Sequence, residues 1–175
     1  MSASVPSPAG PPAAPAAAPA PVLRRLDLTD EATARAVHRV ARRGYAVEAA
    51  LIDFDGIPPL HESLAELRAQ PLCWLGAVTR DGELAAFVGW AEPAGGGVID
   101  IDRVCVDPRW FRAGLASRLL SHLLTELRPD TDALVSTGAR NLPAVRLYER
   151  LGFAPLDVVE PVPGLRLARF RLTRS

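Results

Sequence analysis

Two groups of residues in this chain have the types and spacing to do chemistry. The first is Arg112-Ala113-Gly114-Leu115-Ala116-Ser117, a small-residue turn that opens a leucine-rich periodic run. The run Ile99–Val106 before it alternates apolar and polar residues and is broken at Asp107-Pro108, as a strand would be. A strand, a tight turn and a helix opening leave backbone N–H groups without intrahelical partners, at the positive end of a helix dipole. Small side chains at Ala113, Gly114 and Ala116 let a ligand approach that backbone closely, and a phosphate-bearing guest is the natural occupant. The second group is Asp100 and Asp102, two apart on the strand, so that on regular backbone they share a face with Val104. The ordinary reading of that pair is polar alternation on a half-exposed strand, with Arg103 as a neighbouring partner.

Both groups must be positioned by a fold, and the periodicities outline one. Val22–Leu28 reads as a strand, and Thr29-Asp30-Glu31 as the start of a helix carrying Ala34, Val37, Val40 and Ala41, with Gly44 as its stop. Tyr45–Pro59 reads as irregular, and a second helix begins near His61 with Leu60, Leu64 and Leu67 inward. Leu72–Thr79 and Leu84–Trp90 flank the turn Arg80–Glu83 as antiparallel strands, and Gly95-Gly96-Gly97 leads into the strand Val98–Val106. The helix from Gly114 places Leu115, Leu119, Leu120, Leu123, Leu124 and Leu127 on one side. Ala133–Thr137 is a buried strand, parallel to its neighbour because a helix intervenes. Asn141 caps a helix with Pro143 in its first turn and Gly152 at its end, and Phe153–Val162 and Leu165–Leu172 close the sheet. The expected class is α/β (mixed α+β): a single domain over residues 22–175, with a mixed sheet of about seven strands flanked by about four helices.

Composition narrows the function. The 175 residues carry zero formal net charge, with no basic, aromatic-laced face to recommend nucleic acid. No apolar run reaches membrane-spanning length, so no membrane partner is expected. Residues 1–21, almost all Ala, Pro, Ser and Gly, read as a disordered tail and not as a secretory signal. Cys73 and Cys105 lie in apolar runs, which fits buried free thiols in a reducing cytoplasm. His38 and His61 have no metal-ligand spacing, His122 reads as exposed on the polar side of its helix, and no metal site is expected. The turn lacks both the Gly-Lys-Ser/Thr of a P-loop and a full Gly-x-Gly-x-x-Gly.

With those elements in order, Val104-Cys105-Val106-Asp107-Pro108 followed by Arg112-Ala113-Gly114-Leu115-Ala116 resembles the cofactor motif of the GNAT superfamily of acyl-CoA-dependent N-acetyltransferases. Asn141-Leu142-Pro143-Ala144 leading to Tyr148 and Gly152-Phe153 resembles that family's second motif. The likeness runs from about Leu23 to Arg174. It implies acetyl-CoA as cosubstrate, its pyrophosphate on the amides of Arg112 to Ser117, and its pantetheine arm along the main chain of Val104, Cys105 and Val106. It further implies a cofactor contact from Asn141, Tyr148 as proton donor to the departing thiolate, and Asp100 or Asp102 as the base, directly or through water. The family's other position for a base carries Ser136 here. Phe111 stands where the family usually has Gln or Arg, and is expected to pack beside Trp110 under the helix. Arg112 is read as phosphate-facing and Arg109 as solvated surface. The acceptor is expected to be a primary amine of a small molecule or peptide, near Asp53, Asp55, His61 and Glu62. A homodimer is an open expectation, since homodimers are common in the family. The alternative is a module of this fold that binds acyl-CoA, or serves as a partner domain, without turnover.

Overall fold

A computed structural model of the chain describes residues 19–95 and 97–174. The tail reading falls largely on residues 1–18, which lie outside the described residues. Seven strands form one sheet: β1 (Val22–Arg25), β2 (Cys73–Val78), β3 (Leu84–Ala91), β4 (Ile99–Val106), β5 (Ala133–Gly138), β6 (Ala154–Val162) and β7 (Leu165–Leu172). Their spatial order is β1-β2-β3-β4-β5-β7-β6, and β4–β5 is the parallel pair among antiparallel neighbours. Among the described residues five α-helices flank it: α1 (Glu31–Ile52), α2 (Pro58–His61), α3 (Leu64–Ala69), α4 (Leu115–His122) and α5 (Leu142–Arg150). The mixed α/β class and the seven strands are as expected, with one helix more than the sequence reading allowed. Ser63 is the reason: its side chain accepts from the Glu66 N–H while Glu66 reaches back to the Ser63 N–H, so a capping box starts a fresh helix there.

The sheet separates two cores. On one face α4 and α5 bury Leu115, Leu119, Leu120, Leu123 and Tyr148 against Val88, Trp90, Ile99 and Ile101. On the other, α1 and α3 bury Val37, Val40, Tyr45 and Leu67 against Trp74, Phe87 and Cys105. The leucine periodicity beyond Gly114 therefore does what its spacing implies, although the helix widens into a π-turn over Leu123–Leu127.

Helix α1 departs from expectation most. Asp30 caps it, accepting from the Thr33 N–H at 2.8 Å, but Gly44 does not end it. The helix continues to Ile52 and stops at Asp53, which takes a left-handed conformation and donates its N–H to Ala49. Gly44 serves packing instead. A Cβ there would lie 2.3 Å from the Cys105 Sγ and 3.1 Å from the Val106 carbonyl oxygen. The missing side chain lets α1 lie directly on β4, and the extra turns carry Val47, Glu48 and Leu51 to the end of that strand.

Gly44→Ala is accordingly expected to destabilise the fold by about 1–3 kcal/mol, the usual cost of overpacking. In urea denaturation, adding Cys105→Ala to that variant should recover part of the loss; a loss unchanged by the second substitution would place the constraint elsewhere.

Candidate active site

β4 is bonded to β5 over three register pairs only: Ile99 with Ala133, Asp100 with Leu134, and Ile101 with Val135. Beyond them the strands part, while β4 stays paired to β3 through Val106. The ladder to β3 slips at the same point, Trp90 facing Ile101 and Gly89 facing Arg103, so that Asp102 is an extra residue in a β-bulge. The bulge reverses the strand's alternation. Ile99 and Ile101 precede it on the α4 face, and Val104 and Val106 continue on that face after it. Asp100 and Asp102 therefore do not share a face with Val104; an alternation read from sequence cannot register an inserted residue.

A cavity of about 420 Å³ opens where β4 and β5 separate, lined among others by Glu48, Val104, Cys105, Val106, Arg112, Asn141 and Tyr148. That volume falls within the range of small-molecule sites. Of the residues expected to act together, Val104, Cys105, Val106, Arg112, Ala116, Asn141 and Tyr148 all line it. Ala113, Gly114, Leu115 and Ser117 adjoin it through the loop; the Leu115 side chain is buried in the α4 core. Asp100 and Asp102 are not on its lining. Asp102 lines a separate cavity with His61, Glu62, Glu66 and Arg103.

The loop before α4 is built to present amides. Arg112 and Gly114 both have positive φ, 62° and 71°. The first N–H of α4 to bond back into its own helix is that of Arg118, to Gly114 at 3.0 Å, so those of Leu115, Ala116 and Ser117 point out of the helix start. Asp107 holds this loop in place. Its buried carboxylate accepts from the Arg109 N–H and guanidinium at 3.1 Å and from Arg43 Nη1 at 2.9 Å, while its own N–H donates to Ala85. Those bonds, the Arg109 side chain's first, hold its carboxyl far below the usual range. Arg109 also bridges to Glu83 and is a structural clamp, whereas Arg112 reaches the cavity. Phe111 is not under the helix: it is 47% exposed and lines the cavity, and Trp110 alone packs against the core.

Asn141 caps α5, its Oδ1 accepting from the Ala144 N–H and its Nδ2 donating to Thr137 Oγ1, each at 3.3 Å. Thr137 donates in turn to Glu48 Oε1 at 3.2 Å, and the Gly138 N–H does so at 3.4 Å. Glu48, Thr137 and Asn141 thus form a chain from α1 to α5 across the end of β5. Glu48 escaped the sequence reading because the stop assigned to Gly44 left it in supposed loop; Tyr45, Ala49 and Ile52 continue the buried stripe of α1 and were the signal available.

Tyr148 is 4% exposed, wedged beside Phe153 and Phe170 at ring distances of 5.9 and 5.8 Å. Burial, then the charge of Glu48, pushes its phenol up, so it is protonated at neutral pH. Cys105 is buried, with Sγ 3.5 Å from the Val40 carbonyl oxygen, and burial pushes its thiol up to about 12. It is no thiolate nucleophile near neutral pH. Asp100 is pushed up by burial and secondarily by Asp102, whose carboxylate bonds the Arg103 Nε at 3.0 Å. Glu62, expected to be a free acid near the acceptor, is buried in a two-fold ion pair with Arg103. Asp53 and Asp55 line yet another hollow.

A family model described as the Acetyltransferase (GNAT) family matches residues 27–153, most of the chain. The chain belongs to the GNAT acetyltransferase family. The UPF0157 protein YqkA of Bacillus subtilis (strain 168) is 32% identical over 143 residues, 81% of this chain. The match takes in 41% of that protein, so the chain spans about two fifths of the relative's length. Among solved structures, the ribosomal-protein-S18-alanine N-acetyltransferase of Escherichia coli superposes with a TM-score of 0.67 at 22% identity, covering 88% of this chain and 94% of that one. YncA from Salmonella typhimurium, solved with its cofactor acetyl-CoA, gives 0.63 at 19% identity, covering 87% and 93%. At these identities the superpositions establish the GNAT fold.

The clamp at Asp107 sets a pH dependence. A carboxyl held below its unfolded value adds stability that is fully present above the unfolded pKa of about 4 and is lost as pH falls through the folded value. Asp107→Asn should cost about 1–3 kcal/mol at pH 7. Denaturation midpoints should show the gap to wild type narrowing progressively as pH falls below 4; a gap as wide at pH 2 as at pH 7 would contradict the clamp.

Proposed function

We propose that this GNAT protein is an N-acetyltransferase that moves an acetyl group from acetyl-CoA to a primary amine of a small molecule or peptide, by direct attack in a ternary complex. The observation that carries the proposal is the meeting, in one cavity, of unpaired loop amides, a free strand edge and a buried phenol. Within the Arg112–Ser117 loop the Ala113 N–H is taken by the Trp110 carbonyl, and the Leu115, Ala116 and Ser117 amides would hold the pyrophosphate, with the Arg112 guanidinium beside them. The edge of β4 at Val104, Cys105 and Val106, left open where β5 departs, offers main-chain groups to an extended arm as an added strand would. One of its N–H groups would hold the acetyl carbonyl and stabilise charge developing on that oxygen. Asn141 lines the same cavity and would close it from the α5 side.

Acetyl-CoA supplies an activated thioester. Tyr148 gives its proton to the leaving sulfur; a phenol whose ionisation is suppressed is stocked with that proton at neutral pH. Cys105, buried and protonated, supports direct transfer without an acyl-enzyme. The acetyl-CoA seen with YncA supports the same cosubstrate here, and the named activity of the Escherichia coli relative makes a peptide α-amine one acceptor to include. Asp100 and Asp102 lie away from the cavity, which counts against either one touching the reacting atoms.

Tyr148→Phe should lower kcat on the order of 10²-fold or more, the usual size of general-acid catalysis, with little change in acetyl-CoA affinity. Coenzyme A release with a panel of amines, polyamines and N-terminal peptides, paired with calorimetric titration of acetyl-CoA, measures both. Binding of acetyl-CoA with no turnover of any amine would favour a non-catalytic acyl-CoA-binding module.

A further inference from the structure

Glu48 stands out among the carboxylates of this chain. The cavity between α1, β4 and α5 is largely apolar, with Val47, Leu51, Val104 and Leu147 on its walls, and among the described residues Glu48 is the one carboxylate lining it. Glu31, Glu62, Glu83 and Glu92 each pair with an arginine; Glu48 makes no ion pair among the described residues. Its Oε1 accepts from two neutral donors, the Thr137 hydroxyl and the Gly138 N–H, and among the described residues Oε2 has no partner. A half-buried carboxylate on an apolar wall is costly unless a cation joins it. The groups that face it are neutral, Tyr148 from α5, Cys105 from β4 and Tyr45 from its own helix; Arg112, the one cation on the cavity wall, makes no ion pair with it among the described residues. Its charge pushes up the phenols of Tyr148 and Tyr45 and the Cys105 thiol, in each case after burial itself. The cavity's one carboxylate therefore sits without an ion-pair partner beside the proposed proton donor, its charge balanced only by Arg112 on the same wall.

Resting on the acetyl-transfer reading above, we infer that Glu48 binds the acceptor's ammonium group in this cavity and takes the proton the amine must lose before it attacks. The protons and bonds balance. The ammonium passes one proton to the Glu48 carboxylate and becomes a neutral amine. Its lone pair forms the C–N bond as the C–S bond breaks, and Tyr148 protonates the departing sulfur. The nitrogen's second surplus proton restores the Tyr148 phenol, and Glu48 returns its proton to solvent. Thr137 is a positioning residue, holding one oxygen of Glu48 while the other is left for the ligand.

The test uses the full chain and Glu48→Gln, titrated calorimetrically with coenzyme A and with two coenzyme A thioethers of matched length, one ending in an aminopropyl and one in a butyl group. Wild type should prefer the aminopropyl compound by about tenfold, the scale of one charge-assisted hydrogen bond. Glu48→Gln should bind both thioethers alike and coenzyme A as wild type does. If coenzyme A does not bind wild type, the acetyl-transfer reading fails and this inference with it. If coenzyme A binds but the preference is absent, or survives in Glu48→Gln, or disappears in Asp100→Asn instead, Glu48 loses the role and the acetyl-transfer reading stands. A second measurement needs no variant: carbodiimide coupling of the aminopropyl thioether to wild type, read by peptide mass spectrometry. Coupling at Glu48 supports the assignment, and coupling confined to other carboxylates overturns it.

Discussion

The site depends on the parting of β4 from β5. Two parallel strands that pair over three residues and then separate leave main-chain groups unclaimed on one edge of β4. In a closed sheet those groups would be spent on the ladder. The Asp102 bulge is the local cause on the β4 side, since an extra residue bends a strand and raises its twist. Arg103 fixes the bulge from beneath, paired with Glu62 and Asp102 and lying 5.8 Å from the centre of the Trp74 ring. Its near-complete burial is compatible with charge because two carboxylates and an aromatic face surround it.

Around that opening, packing constraints decide which side chains enter. Gly44 removes the one Cβ that would hold α1 off Cys105, and the close approach delivers Glu48 to the end of β5. Asp107 ties Arg43, Arg109 and the Ala85 carbonyl together, so the loop that follows starts from a fixed point before its two left-handed residues. On the far side, Phe153 and Phe170 brace Tyr148, and Asn141 pins the first turn of α5 to Thr137. The polar chain Glu48–Thr137–Asn141 joins helices that the sheet otherwise keeps in separate cores.

Much of this was legible in the sequence, for reasons that differ by element. The leucines of α4 and the Asn141 cap are local signals, and each is found where the sequence put it. The two motif segments carried the family, because their residue types are set by close approach to a ligand more than by the fold at large. What failed was whatever needed a long-range partner to interpret. Gly44 is a stop signal by propensity and a contact point by packing, and only Cys105, 61 positions on, separates the two readings. Glu62 looked like a free acid because Arg103 is remote in sequence. Asp100 and Asp102 looked co-facial with Val104 because one inserted residue inverts a two-residue period without leaving a mark in composition.

The central claim is that the parted strands and the loop before α4 form one binding surface for coenzyme A. Hydrogen–deuterium exchange of the full chain with and without coenzyme A tests it at the level of the backbone. The account predicts slowed exchange at residues 104–106 and 112–117, with the β6–β7 edge unchanged. Protection confined to β6 and β7, or bound coenzyme A with no change at 104–106 and 112–117, would contradict it.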